Sequence, residues 1–548
     1  MSLTLLLDHP VDDRGTISHY MSLITTHGCQ QIYQTKSKLI KICWTIFLLA
    51  SVCVATYFVS VAISKYYKYR THEETSLKDT YVDFPAVTVC RLDDDGVSRL
   101  FSEHYTPDKG DEEIIKQEMN ILMKIIDIDL DFENEDVSYL HLLLLYAEYA
   151  PRLLDRQSIP QAFPAIAEYL ASDYDRFIVS CQFKEHDCNK THFVEKKNGQ
   201  YFNCFTFNHT DTIKKEGPTS GLSLVFFLDT LKEIELQEIS LGDSSLRFTD
   251  SGIKVAIHEP NTIPDIINDG FIVAPGYSTN IALKQSVFEK MKSPWGECDK
   301  SRIKINDITN ENTDILYNRE TCMKICQQRY IQGKCGCLNV MLPVPNDLNK
   351  EKYCFYIDKD NMLQNPNWTQ VFHEELKHVD CESKHLLDLP DSYVGQYKCD
   401  CPLSCHYKTY NSLISQANWP PQNGVHRFIK KYRNEQPTLL NGTDIYKAYE
   451  ENNATGDLYD MVQNNFLRLN VYHRSLTVQT TTQVAAYTVQ DLVSEVGGII
   501  GICVGMSVLS ILELFQLVAI VIRSSGKKAD RRGMSLKDGD MELNEEGV

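Results

Sequence analysis

The stretch VGGIIGICVGMSVLSILELFQLVAIVI, residues 496–522, decides how this chain must be read. Its 27 residues carry one charge, Glu513, and a helix needs about 20 apolar residues to cross a ~30 Å hydrocarbon core. A second run, ICWTIFLLASVCVATYFVSVAI at 42–63, has 22 residues and no charge. Forty mostly polar residues lie between Met1 and this first hydrophobic segment, so it reads as an uncleaved anchor rather than a secretory leader. The average hydropathy of −0.29 hides both spans in a long polar chain.

Orientation follows from the basic residues. Lys36, Lys38 and Lys41 balance Lys65, Lys68 and Arg70 around the first span, whereas Arg523, Lys527, Lys528, Arg531 and Arg532 crowd behind the second. The 20 residues before Val496 hold no Lys or Arg, so the positive-inside rule places the tail 523–548 and the N-terminal 1–41 in the cytosol. Residues 64–495 then lie outside, in a multi-pass plasma-membrane protein.

Fourteen of the 18 cysteines fall in that exterior block, as do all five N-x-S/T sequons, at Asn189, Asn208, Asn367, Asn441 and Asn453. An oxidised, glycosylated ectodomain is the reading that unites them. Ten cysteines are concentrated in residues 298–405, which points to a small disulfide-stapled module. Their spacing includes C-x-x-x-C at Cys322 and Cys326, and C-x-C-x-x-x-C at Cys399, Cys401 and Cys405. The x3 pairs can face each other one helical turn apart as rungs of an antiparallel ladder. Zinc is the competing use of such spacing, but thiolate sites belong to reducing compartments, so no metal is expected.

The net charge of −19 argues against nucleic acid and against anionic ligands in general. An acidic exterior instead concentrates cations. Between the spans, 82–90, 221–228, 271–283 and 466–472 read as strands, with Leu467, Leu469 and Val471 on one face of the last. An acidic region within about 105–180 reads as a projecting helical subdomain.

The second span is more than an anchor. Gly497, Gly501 and Gly505 recur on one helix face, followed by Ser507, Ser510 and Glu513. Close helix packing accounts for the glycines as well as a pore does, but not for an ionisable residue inside a span. One helix per chain cannot enclose a conduit, so conduction calls for a symmetric ring of copies. Such a ring stacks carbonyls, hydroxyls and carboxylates, the groups that select cations.

Several motifs together resemble one family. His27-Gly28, the strand Phe84-Pro85-Ala86-Val87-Thr88-Val89-Cys90, Pro294-Trp295-Gly296 with the following cysteine ladder, and Gly497-Gly498 through Leu512-Glu513-Leu514-Phe515 resemble the degenerin and epithelial sodium channel superfamily. The resemblance implies a membrane protein with two transmembrane helices and a large disulfide-rich α+β ectodomain shaped like a hand, with palm, β-ball, knuckle, finger and thumb. It implies a homotrimer that passes Na⁺ with no cofactor and is blocked by amiloride. By the same resemblance, Gly505, Met506 and Ser507 form the selectivity filter, where Met506 replaces the usual alanine. Ser494, Glu495 and Gly498 fall at the gate; Gly501, Ser510 and Glu513 line the cation path; and His27 and Gly28 form the cytosolic motif. Gln516 stands where acid-sensing members carry a second carboxylate. The implied bridges join Cys90 to Cys204, Cys181 to Cys188, Cys298 to Cys405, Cys322 to Cys401, Cys326 to Cys399, Cys335 to Cys381 and Cys337 to Cys354.

Within the family, the segment Asn418-Trp419-Pro420 resembles epithelial and invertebrate peptide-gated members more than acid-sensing ones, and a tail without PPxY speaks against the epithelial branch, which points to an invertebrate channel gated by an FMRFamide-like neuropeptide. A cationic, aromatic peptide agonist calls for carboxylates and rings, and Asp127, Asp129, Asp131, Tyr139, Tyr146 and Phe163 supply both. Trp295, with Tyr67 and Tyr69, is the expected coupling point to the first span. Proton gating is the alternative stimulus, since clustered carboxylates raise each other's pKa. Outside the family, an ATP-gated trimeric channel would want a lysine-rich site, and an ecto-nucleotidase paired Gly-rich loops. Gly242-Asp243-Ser244-Ser245 is a lone fragment, so an enzyme is not expected.

Overall fold

The structure, a computed structural model, describes residues 31–32, 35–92, 174–198, 202–209, 211–228, 251–306, 312–339, 342–354, 377–378, 380–382, 384–385, 399–440, 443–451, 455–505, 507, 510, 512 and 515. Its helices of seven residues or more are α1 (Lys38–Tyr66), α2 (Arg319–Cys335), α3 (Val425–Glu435), α4 (Asp444–Glu450), α5 (Thr455–Asn465) and α6 (Val489–Val504). The chain divides into two compact units. One holds the membrane-directed segments with 294–296, and the other holds 73–293 and 297–483.

The larger unit is built on an eight-stranded sheet whose axis is the 13-residue strand Tyr277–Glu289. Along one edge it pairs antiparallel with His406–Asn418 over its full length, and along the other it runs parallel first to Phe466–His473 and then to Thr477–Ala485. A five-stranded sheet is centred on Ala86–Arg91. Phe84, Phe205, Phe207 and Phe226 are fully buried in one core fed by both sheets. Each such ring contributes roughly 1.5–3 kcal/mol by leaving water.

Two strand expectations need adjustment, and a third holds. The stretch 82–90 splits into Val82–Asp83 and Ala86–Arg91, because Pro85 has no amide to donate to a ladder. The stretch 271–283 divides between two sheets as Phe271–Val273 and Tyr277–Glu289. Gly276 turns the chain between them at φ 78°. The strand Phe466–His473 does bury Leu467, Leu469 and Val471 together, in the main core, while Phe466 faces a second cluster around α3.

Seven disulfides are formed, at the seven pairs named above. The ladder differs from two facing helices. Cys322 and Cys326 lie one turn apart on α2, but their partners Cys401 and Cys399 lie on non-helical chain. Two residues of extended chain cover about the same distance as four residues of helix, so the rungs still match. Asn318 caps the start of α2 by accepting from the Thr321 amide, and Gly336 closes its end at φ 69°.

Of the expected helical subdomain at 105–180, residues 105–173 lie outside the described residues; the short helix Tyr174–Phe177 leads directly into the sheet.

His473 ends its strand inside the core, with its ring against Phe84 and Tyr410. Burial pulls its pKa down to about 4, while an unfolded histidine titrates near 6.5. Below about pH 6.5 the unfolded chain takes up a proton that the fold refuses, so stability falls until about pH 4. A His473→Phe protein should therefore lose less thermal stability than the parent between pH 7 and pH 5. Equal losses in the two proteins would contradict this.

Candidate functional site

The smaller unit contains the membrane-directed helices. Helix α1 has 29 residues and is long and apolar enough to cross a membrane. Its large side chains, Leu39, Ile46, Phe47 and Phe58 among them, are exposed, and its buried positions are Ala55 and Ala62. These alanines lie seven residues apart on one face, and α1 packs against α6. Small residues thus serve the helix seam from the α1 side. A side-chain carbon added at Gly497 or Gly498 would meet nothing within 4 Å, so packing inside one chain does not account for these two glycines.

Helix α6 opens with a capping box: the Thr488 side chain accepts from the Asp491 amide and the Asp491 carboxylate accepts from the Thr488 amide. It ends after 16 residues, well short of the continuous span read from 496–522. The cause is local. Gly505 sits in the left-handed region at φ 69° and its amide closes on the Gly501 carbonyl. That geometry terminates a helix and releases the carbonyls of its last turn. Ser507 and Ser510 then bond reciprocally, each hydroxyl accepting from the other's amide at 3.2 Å. This is how a helix restarts, and Ser510, Leu512 and Phe515 are helical. The break therefore places the last carbonyls of α6, the negative end of its dipole and two serine hydroxyls close together in the chain, all cation-coordinating chemistry.

Near the C-terminal end of α1 and within the first turns of α6, Glu495 accepts a hydrogen bond from the Tyr487 hydroxyl and pairs with Lys65 of α1 at 3.4 Å. The Lys65 ammonium lies 4.2 Å from the centre of the Tyr487 ring, which closes a three-membered cycle. Sequence reading selected Glu495 but missed Lys65 and Tyr487. Lys65 was read only as one of the flanking charges, and a partner 430 residues away leaves no local signal. Ser494 and Gly498 are exposed on α6 beside this cycle.

Trp295 stacks edge-on against Tyr69 at 5.4 Å and Tyr66 at 6.4 Å, within this same unit. Tyr67 touches Tyr66 and Tyr69, so Tyr66 is the ring in contact with Trp295 that sequence reading left out. The Trp295 indole nitrogen is buried with no hydrogen-bond partner among the described residues.

Other selected residues, His27, Gly28, Asp127, Asp129, Asp131, Tyr139, Tyr146, Phe163, Met506, Glu513, Gln516 and the sequon asparagines Asn367, Asn441 and Asn453, lie outside the described residues. Asn189 accepts from both the amide and the hydroxyl of Thr191, and Asn208 lies nearby, its amide donating to the His192 carbonyl. Cys335, Cys381 and His385 lie close enough for a metal, but the two cysteines are bonded to each other.

Comparison with known proteins agrees with this geometry. The family described as "Amiloride-sensitive sodium channel" matches residues 20–517. The chain is 24% identical over 536 residues to the FMRFamide-activated amiloride-sensitive sodium channel of Cornu aspersum, covering 90% of this chain and 81% of that one. It is 25% identical to the human bile acid-sensitive ion channel, over 92% of this chain and 86% of that one. Against acid-sensing ion channel 1A of Danio rerio it is 24% identical, over 94% and 90% respectively. The chain belongs to the amiloride-sensitive sodium channel family. Its relatives are ion channels and not enzymes.

Replacing Gly505 by alanine places a side chain in a backbone region that costs roughly 1–2 kcal/mol. Gly505→Ala channels at the surface should pass less Na⁺ or discriminate it less from K⁺; unaltered permeation would show that the break is not in the conduction path. For the Lys65–Tyr487–Glu495 cycle, Lys65→Met and Tyr487→Phe should act non-additively on channel activation, with a coupling of about 2–5-fold. Strict additivity would show that the three groups do not work as a unit.

Proposed function

We propose that this chain is the subunit of a trimeric, sodium-selective, amiloride-blocked channel in which copies of α6 surround the conduit and an FMRFamide-like neuropeptide opens it. The observation that carries the reading is the interruption of α6 at Gly505. A plain anchor gains nothing from breaking its own hydrogen-bond ladder inside a membrane, where an unsatisfied carbonyl is costly unless it faces water or an ion. Copies related by rotation would bring three sets of released carbonyls and Ser507 hydroxyls around one axis, with Met506 between them.

Glu513, deeper in the sequence of the same span, would add a carboxylate ring that holds cations at the cytosolic end. Both termini are cytosolic in this reading. The peptide stimulus is supported by the likeness to the FMRFamide-activated channel of Cornu aspersum, and the acidic, aromatic stretch with Asp127, Asp129, Asp131, Tyr139, Tyr146 and Phe163 is the proposed recognition surface. The rings of Trp295, Tyr66 and Tyr69 would carry motion to the top of α1, and the Lys65–Tyr487–Glu495 cycle would rearrange as α6 moves.

Acid is the second reading, favoured by the likeness to acid-sensing ion channel 1A and by two carboxyls that burial pushes above their usual range, Glu259 and Asp269.

Expression of the chain alone in oocytes, with voltage clamp, tests the reading. FMRFamide should evoke an inward Na⁺ current that amiloride blocks, and Glu513→Gln should lower its conductance or cation selectivity. Current evoked by acid and never by peptide would transfer the function to the second reading. Peptide-evoked current with Glu513→Gln indistinguishable from the parent would remove the carboxylate ring.

A further inference from the structure

Helix α3 carries the sequence VHRFIKKYRNE, and its two faces differ sharply. Val425, Ile429 and Tyr432 are buried, and Phe428 packs its ring against Trp419, Tyr432 and Phe466. This inner face pins the helix to the core cluster that also holds α4 and α5 residues. Helical periodicity sends Arg427, Lys430 and Lys431 to the opposite face, where all three are exposed.

The state of these cations is what distinguishes the patch from an ordinary solvated helix. Arg433 is occupied: it pairs with Glu450 at 2.9 Å and its guanidinium lies over the rings of Tyr446 and Tyr449. Lys431 has a long i,i+4 contact of 3.8 Å with Glu435 and lies 5.6 Å from the centre of the Tyr432 ring. Arg427 and Lys430, one turn apart, have no ion pair or hydrogen bond among the described residues. A chain with a net charge of −19 thus concentrates four cations within residues 427–433, two of them without an anionic partner among the described residues.

We infer that the outward face of α3, through Arg427, Lys430 and Lys431, binds a sulfated glycan chain of the cell exterior. The face offers closely spaced positive charges on a rigid, core-anchored rod, which suits a linear polyanion held by charge along its length. The bridge Cys298–Cys405 and the sequons at Asn441 and Asn453, on either side of α3 in the sequence, put the helix on the oxidised side of the membrane, where sulfated glycans occur and nucleic acid does not. A lipid surface is disfavoured, because the apolar residues of α3 point into the protein and leave none on the outer face to insert.

Detergent-solubilised full-length protein on immobilised heparin tests the inference. The parent should bind with a strong salt dependence, and Arg427→Ala/Lys430→Ala/Lys431→Ala should bind about tenfold more weakly. Lys430→Glu alone should also weaken binding. Lys214→Ala/Lys215→Ala, two exposed lysines elsewhere, should leave it unchanged. Undiminished binding by the triple variant, or an equal loss in the Lys214/Lys215 control, would overturn the assignment. Equal capture of the parent by polyglutamate would overturn it too, and would give the face to a carboxylate-bearing partner such as the acidic stretch of a second copy.

Discussion

A helix cannot run through a residue held at φ 69° and keep its hydrogen-bond ladder. Gly505 imposes that interruption at the end of α6, and the functional reading of the molecule depends on it. Glycine is the residue that accepts the conformation without a side-chain clash, and Ser507 with Ser510 supplies the caps from which the chain turns helical again. The carbonyls that end α6 and the hydroxyls of Ser507 and Ser510 are thereby brought close together in the chain. In a soluble protein such a break would be a harmless kink. In an apolar segment it demands water, an ion or another chain as partner.

The rest of the chain can be understood as what such a break needs around it. Helix α1 supplies a seam of alanines for α6 and an apolar exterior of leucine, isoleucine and phenylalanine. The capping box at Thr488 fixes where α6 begins, and the Lys65–Tyr487–Glu495 cycle ties the tops of α1 and α6 together. The larger unit is stiffened differently, by a 13-residue central strand paired along both edges and by seven disulfides. Five of those bridges lie in the segment around α2, where a 17-residue helix with little apolar surface of its own is held by covalent rungs.

What could be read from the sequence was whatever leaves a local mark. The two apolar runs, the clustering of cysteines and the alternation of Leu467, Leu469 and Val471 are short-range patterns, which mark in turn a membrane-crossing length, a disulfide-stapled module and a buried strand face. The glycine spacing of the second span singled out Gly505, yet a run of apolar letters gave no sign that the helix stops at Val504. Left-handed backbone at Gly505 depends on how the next residues satisfy its amide, and hydropathy does not encode that. Lys65 and Tyr487 escaped notice for a different reason. Their chemistry exists only once chain segments 430 residues apart meet, so neither residue is unusual in its own neighbourhood. Tyr66 was passed over in favour of Tyr67 because adjacent aromatics are indistinguishable until helix phase decides which ring meets Trp295.

The most direct test of the central claim is to place a soft metal ligand at the break. In channels carrying Ser507→Cys, extracellular Cd²⁺ should block the amiloride-sensitive current at concentrations that leave the parent untouched, because thiolates from several copies would converge on one ion. A Ser507→Cys channel that reaches the surface, conducts, and is as indifferent to Cd²⁺ and to thiol-reactive cations as the parent would place the break away from the ion path and contradict the account.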